Sequence, residues 1–313
     1  MTVRDAVPAL DAELRAEATR SDGRRSPGSG SALRLAEIAG SLRFSGILVR
    51  PGDLAALVTN GRVPAGRSLE ACNAIADYAA AAAYVAALGR RRRQPLVRVE
   101  EIVALHAQAT RRSSFDQPGK WRSATAAALR GGAVPPPAWL VSRDVAALVE
   151  RFARPPAPDR PVLVWLADFH ARLSRIHPFA TANGRVTRLC LNLLLTRLEY
   201  PPFVIRPREG PRFARALDRA AAGDLWPSAL FLGRSLRRSL QERDGISQSP
   251  GDALVALSTI EGESERASLY KAAQRGRLRT VRKGTSVFTS KIWIDEYRSS
   301  RAPAGRPRAT RPS

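Results

Sequence analysis

The chain has 313 residues, enough for two domains or one large domain with an appendage, and enough to bury a sizeable core. It carries 51 Lys+Arg against 28 Asp+Glu, and since Lys occurs only at positions 120, 271, 283 and 291, the basic residues are nearly all Arg. The net charge of +23 favours anionic partners (nucleotides, nucleic acid, acidic proteins), while 44% hydrophobic residues exclude wholesale disorder.

Two cysteines, Cys72 and Cys190, make neither a disulfide framework nor a zinc site, because neither has a CxxC or Cys/His neighbour. Both are expected as buried thiols. Residues 1–20 read as an amphipathic helix without a secretory apolar core. No run of about 18 apolar residues is read in the chain, so a cytosolic protein with no membrane span is expected. The stretch SDGRRSPGSGS (21–31) is a flexible break. Helix is expected from Ala32 to about Val58, interrupted at Arg50-Pro51-Gly52. A strong helix follows over 68–89, ending at Gly89, and another over 99–110. Arg90 to Arg93 read as a solvated helix end. The stretch 113–138 holds Gly119, Gly131, Gly132 and Pro135-Pro136-Pro137, which suits a short hairpin or extended flap. Helices are expected at 142–153, 161–176, 184–198, 209–221 and 226–241.

The most informative stretch is IHPFATANGRVTRLCLNLLL (176–195). A helix ends near His177-Pro178, a tight loop runs from Phe179 to Ala182, and an apolar helix begins at Asn183-Gly184. Small residues at 182 and 184 let backbone N–H groups approach an anion, and the helix N-terminus adds partial positive charge. Arg185 and Arg188, three apart, lean toward the same anion. His177 stands at the mouth of the loop as a general base.

This segment resembles the signature HPFx[D/E]GNGRxxR of the Fic (Fido) family, matching it at His177, Pro178, Phe179, Asn183, Gly184, Arg185 and Arg188. Gly119-Lys120-Trp121-Arg122 with Pro135-Pro136 resembles the family's flap, and Leu217 with Gly223-Asp224 and Pro227 the helix after the core. The resemblance covers about 40–235. It implies a mainly α-helical domain that transfers AMP from ATP to a hydroxyl of a target protein. By that resemblance His177 takes the proton of a Ser, Thr or Tyr hydroxyl. Asn183 and the amides of 182–184 hold the α-phosphate, and Arg185 and Arg188 clamp the outer phosphates. The flap, with Trp121, Arg122, Pro135 and Pro136, aligns an extended target segment.

Three positions depart from the pattern. Thr181 stands where the family has its acidic, Mg²⁺-holding residue, and a neutral hydroxyl is a poor Mg²⁺ ligand. Asp116 and Glu70 are the acids considered as substitutes. Ala182 replaces the first glycine of GNG, a change that costs something only where φ is positive. Upstream, SLRFSG (41–46) resembles the inhibitory segment [S/T]xxxE[G/N], with Ser41 at its first position and Ser45 where the Glu would be. His170, one helix face with His177, and His106 are expected as structural histidines.

Residues 251–298 read as a small unit: a short helix, a helix near 264–275, a turn at Gly276, an extended segment 277–284, a return strand 285–290 and a last helix at 291–298. This plan resembles excisionase-like or MerR-like winged helix-turn-helix modules. From Ser264 to Ser313 there are 13 Lys/Arg and 3 Asp/Glu, the footprint of a DNA-binding module. On that model Ser268, Tyr270, Lys271 and Gln274 face a major groove, and Arg277, Arg279, Arg282 and Lys283 bind phosphates or a minor groove. Protein binding, or packing on the first domain, is the other reading.

The expected organisation is an N-terminal helix and linker (1–31), a Fic-type domain (32–240), a linker (241–250), the winged unit (251–298) and a basic tail (299–313). The expected function is protein adenylyl transfer with ATP as donor and a protein hydroxyl as acceptor, Mg²⁺ being in doubt at Thr181. The alternatives are a catalytically weakened domain serving a DNA-binding regulator, and an enzyme moving a different group.

Overall fold

The computed structural model describes residues 2–20, 29–50, 52–89, 95–113, 117–129, 133–243, 254–260, 262–283 and 286–299. The chain divides into two compact units, one of 1–49 with 63–246 and the other of 50–62 with 247–313.

The first unit is helical: α1 (Val3–Arg20), α2 (Ser29–Phe44), α3 (Leu69–Gly89), α4 (Val99–Thr110), α5 (Val141–Arg151), α6 (Val162–Ile176), α7 (Asn183–Arg197), α8 (Gly210–Ala221) and α9 (Trp226–Arg243). α7 runs through its centre, packing on α3, α4 and α6. That position follows from its sequence, because Val186, Leu189, Cys190, Leu191 and Leu193 to Leu195 are apolar on every face and all are buried. At the far end of α7, Arg197 donates to Glu101 of α4 at 2.6 and 2.9 Å and to the Leu96 carbonyl at 2.7 Å. α3 approaches α7 so closely that a Cβ on Gly89 would sit 2.2 Å from the Thr196 methyl. Both cysteines are free and buried.

Some boundaries depart from the sequence reading. α2 begins at Ser29 and ends at Phe44, where Ser45 and Gly46 (φ 80°) turn the chain. α3 is long and apolar enough, by length and composition, to cross a membrane, which the reading by apolar runs had missed. Here Cys72, Ile75, Tyr78 and Val85 are core residues and the helix packs on α4 and α7. The flap stretch is non-helical, but no hairpin ladder forms among its described residues. Among the described residues, Leu129 N–H bonds to the Ala133 carbonyl at 2.8 Å across its two arms. Three consecutive prolines at 135–137 supply no N–H donors, so they cannot sustain a strand pair.

In the second unit, β1 (Leu254–Ala256), α10 (Glu263–Gln274), β2 (Val281–Lys283), β3 (Ser286–Ser290) and α11 (Lys291–Ser299) surround a small core of Leu257, Leu269, Ala272, Leu278, Ile294 and Tyr297. The sheet is antiparallel in the order β1-β3-β2, with Val255 opposite Thr289 and Arg282 opposite Val287. The short helix expected before α10 is absent from the described residues. Leu254-Val255-Ala256 pairs with β3 instead, and only one 3₁₀ turn, Leu257–Thr259, precedes α10. Residues 50–62, assigned by sequence to the helical domain, group with this unit. Gly52 lies so close to Gly276 that a Cβ would meet its carbonyl oxygen at 2.2 Å, an approach only glycine permits.

Candidate active site

The site is built where α6 ends and α7 begins. α6 stops at His177, which takes the left-handed conformation (φ 49°, ψ 61°) while its N–H still bonds to the Leu173 carbonyl. A left-handed residue closes a helix, and Pro178 prevents its continuation. The loop then folds on Phe179, which is fully buried. Its ring stacks on His106 of α4 at 3.8 Å, with 4° between planes, and lies 5.0 Å from Trp121 of the flap. The Asn183 amide closes the loop from the other side: its Oδ1 accepts the Phe179 N–H at 2.9 Å, and its Nδ2 donates to the Phe179 carbonyl at 2.7 Å. Asn183 thus shapes the loop with the same side-chain groups that the resemblance assigned to the α-phosphate. Ala182 is left-handed (φ 61°, ψ 8°), so here the methyl does carry a cost, of about 1–2 kcal/mol against an unstrained residue. The first N–H groups of α7 have no intrahelical acceptor and form the anion-attracting end of the loop.

His177 is half-buried, and its imidazole is held below the ordinary histidine range. Burial is the main cause and the Arg122 charge adds to it, while a hydrogen bond to the Ser174 backbone opposes both. It is therefore neutral at neutral pH and able to accept a proton. Arg185 is mostly buried and donates to the Ala109 carbonyl at 3.3 Å. Arg188 is buried under α2. Its Nε donates to the Ser41 hydroxyl at 2.6 Å, and its Nη2 to the Ser41 carbonyl at 2.9 Å and the Ser45 hydroxyl at 2.6 Å. Its guanidinium lies 5.3 Å from the centre of the Phe44 ring. The structure thus brings Ser41 and Ser45 onto the second motif arginine.

Behind Arg188 sits Glu37, which the sequence reading missed. Its Oε1 accepts the Tyr78 hydroxyl at 2.7 Å and the Asn192 amide at 3.0 Å. Burial pushes its carboxyl up to about 7, against the opposing influence of Tyr78, Arg188 and Asn192. The signal available in the sequence was the spacing 37-41-45, which sets Glu37 and Ser41 one turn apart on α2 and Ser45 just past its end. His170 is buried near Arg188, its Nε2 without a hydrogen-bond partner, and desolvation followed by the Arg188 charge holds it down at about 3. It is a neutral core histidine. His106 accepts the Gly119 N–H at 2.9 Å, joining the flap to α4.

Arg122 is 6% exposed. Its backbone N–H bonds to the Pro178 carbonyl at 3.0 Å, and its guanidinium to the carbonyls of His177 (2.8 Å), Ala124 (3.0 Å), Ile176 (3.5 Å) and Pro136. Pro135 is buried.

Among the described residues no protein-held Mg²⁺ site is formed. Thr181 is exposed and uncharged, and no three His, Cys, Asp or Glu converge among the described residues. Asp77 is fully buried and already accepts the Arg112 and Ser113 N–H groups. Glu70 is exposed on α3, and Asp116 lies outside the described residues, as do Arg90–Arg93 and the basic tail from 300 on.

Of the nucleic-acid candidates in the second unit, Lys271, Gln274, Arg277 and Arg282 are exposed, and Ser268 is half-buried. Tyr270 is half-buried against the unit's core, and the Arg279 guanidinium lies 4.2 Å over the Trp293 ring. Lys283 is placed on β2, its side chain outside the described atoms.

Residues 96–195 match the model of the Fic/DOC family. The chain is 33% identical over 114 residues to "Protein adenylyltransferase Fic" of Drosophila ananassae, covering 35% of this chain and 22% of that protein. It is 27% identical over 179 residues to the protein of the same name from Culex quinquefasciatus, covering 56% of this chain and 34% of that one. The match therefore spans about a fifth to a third of the length of these curated relatives. Among solved structures, Fic-1 from C. elegans superposes with a TM-score of 0.68 at 18% identity, over 78% of this chain and 73% of that one. A Fic family protein from Desulfovibrio desulfuricans G20 superposes at 0.62, also at 18% identity, over 98% of this chain and 99% of that one. At such identities the structures bear on fold alone.

Proposed function

We propose that the Fic/Fido-family domain carried by this chain is a protein adenylyltransferase, moving AMP from ATP onto a Ser, Thr or Tyr hydroxyl of a target protein. One observation carries the reading: His177 at the end of α6 and the start of α7, with its two arginines, are joined by one loop pinned by Asn183 on Phe179. His177 takes the hydroxyl proton, the oxygen bonds to the α-phosphorus, and the bond from that phosphorus to the bridging oxygen breaks as pyrophosphate leaves. The amides at the start of α7 face the charge that develops on the α-phosphate. Arg185 serves the outer phosphates, and Arg188 serves them when it releases Ser45. The contribution of the protein is positioning and charge stabilisation, which is what phosphoryl-type transfer demands. No step is routed through a metal.

The test is transfer of label from the α-phosphate of ATP to proteins of a lysate by the purified chain and by His177→Ala. Label with the wild type and its loss, by at least about a hundredfold, in the variant is expected. Equal labelling by both would overturn the role of His177.

A second reading is favoured by the exposed Lys271, Gln274, Arg277 and Arg282: the 254–299 unit binds DNA, and the helical domain senses nucleotide for it.

A further inference from the structure

Arg122 joins three segments that are far apart in sequence. Its guanidinium bonds to carbonyls at 124 and 136, on the two arms of the flap, and to those at 176 and 177, at the end of α6. Its backbone adds the bond to Pro178. Every one of these partners is a main-chain carbonyl, and the side chain is almost wholly buried. A guanidinium has five donors in a planar fork, enough for four carbonyls in different directions. An ammonium has three donors about one point. The carbonyls of Ile176 and His177 belong to the last turn of α6, where intrahelical donors are missing and the helix end is partly negative. A cation there completes the helix end in the conformation that turns His177 out of the helix.

We propose that Arg122 is the positioning residue for His177, holding its backbone in the left-handed conformation and tying it to the flap, so that a target segment on the flap is registered with the imidazole. The inference rests on the reading of His177 as the base. Arg122 touches neither nucleotide nor the reacting hydroxyl on this account. Its positive charge also disfavours the imidazolium, in the same direction as the burial of His177, while the Ser174 backbone favours it.

The experiment uses the full chain carrying Arg122→Ala or Arg122→Lys. The chain has three histidines, so the titration of His177 is readable by NMR with His177→Ala to assign it. Arg122→Ala is expected to lower transfer by roughly a hundredfold with ATP affinity unchanged. It is also expected to raise the His177 midpoint toward the ordinary value, and to regain activity with millimolar guanidinium. Arg122→Lys keeps the charge and loses the fork, so it is expected to lose transfer while the His177 midpoint stays low. Wild-type transfer in Arg122→Lys, or ATP affinity falling in step with activity, overturns the proposal. If the wild type itself transfers nothing, the adenylyltransferase reading fails. The positioning claim is then judged on the backbone chemical shifts of residues 176–178, which must move in both Arg122→Ala and Arg122→Lys; unmoved shifts overturn it.

Discussion

Glu37 is a buried carboxyl beside a buried guanidinium, and its titration has a sign that can be worked out. Its folded value, about 7, lies above the ordinary 4.5, so the native state keeps a proton that the unfolded chain has released. The stability this supplies is complete below 4.5 and is lost as pH rises through about 7. His170 works in the opposite direction: its folded value of about 3 lies below 6.5, so its contribution is complete above 6.5 and is lost as pH falls. The two are separated by comparing wild type with Glu37→Gln, which keeps an oxygen for Tyr78 and Asn192. Urea unfolding at pH 5 and at pH 7.5 should show wild type losing about 2–3 kcal/mol relative to the variant over that interval. A difference that does not change with pH would contradict the assignment. Thr181 is the other residue with a direct test. Thr181→Asp puts a carboxylate on the loop, and Mg²⁺-dependent transfer should rise by about tenfold or more, some 1.4 kcal/mol of barrier, in a steady-state rate measurement. At this scale the loop was readable in the sequence, because its proline, asparagine, glycine and arginines lie within twelve residues. Glu37 was not, since its partner Asn192 is 155 residues away.

α2 lies over Arg188 with serine hydroxyls where a carboxylate would give a charged bond. A neutral hydroxyl is worth less to a guanidinium than a carboxylate, by about 1 kcal/mol or more. Ser45→Glu should therefore hold Arg188 more firmly and weaken ATP binding by roughly tenfold, read by titration calorimetry. Unchanged affinity would mean that Arg188 does not reach the nucleotide. The non-helical character of the flap was legible from its prolines, since chemistry that removes N–H donors is local. The strand β1 was not. Leu254-Val255-Ala256 suits a short helix or a strand equally, and pairing with β3, more than thirty residues on, decides it. The same holds for 50–62, which group with the second unit and bring Gly52 against the Gly276 backbone, more than two hundred residues on.

At the scale of the molecule the sequence carries two assignments of unequal strength. The helical unit has a site in which separate elements converge on one histidine and two arginines. The second unit has exposed basic side chains, Lys271, Arg277 and Arg282. Retention of duplex DNA by the full chain should fall steeply with salt and weaken further in a Lys271→Ala/Arg277→Ala double variant, while His177→Ala leaves it unchanged. Indifference to salt and to both basic residues would remove DNA from the account. The central claim is the chemistry at His177. The most direct measurement gives the chain ATP labelled at the α-phosphate and, in parallel, ATP labelled at the γ-phosphate, with the same target proteins. The account predicts label on protein from the α-position only, with the γ-label recovered as pyrophosphate. Label on protein from the γ-position, or none from either while ATP is bound, would contradict it.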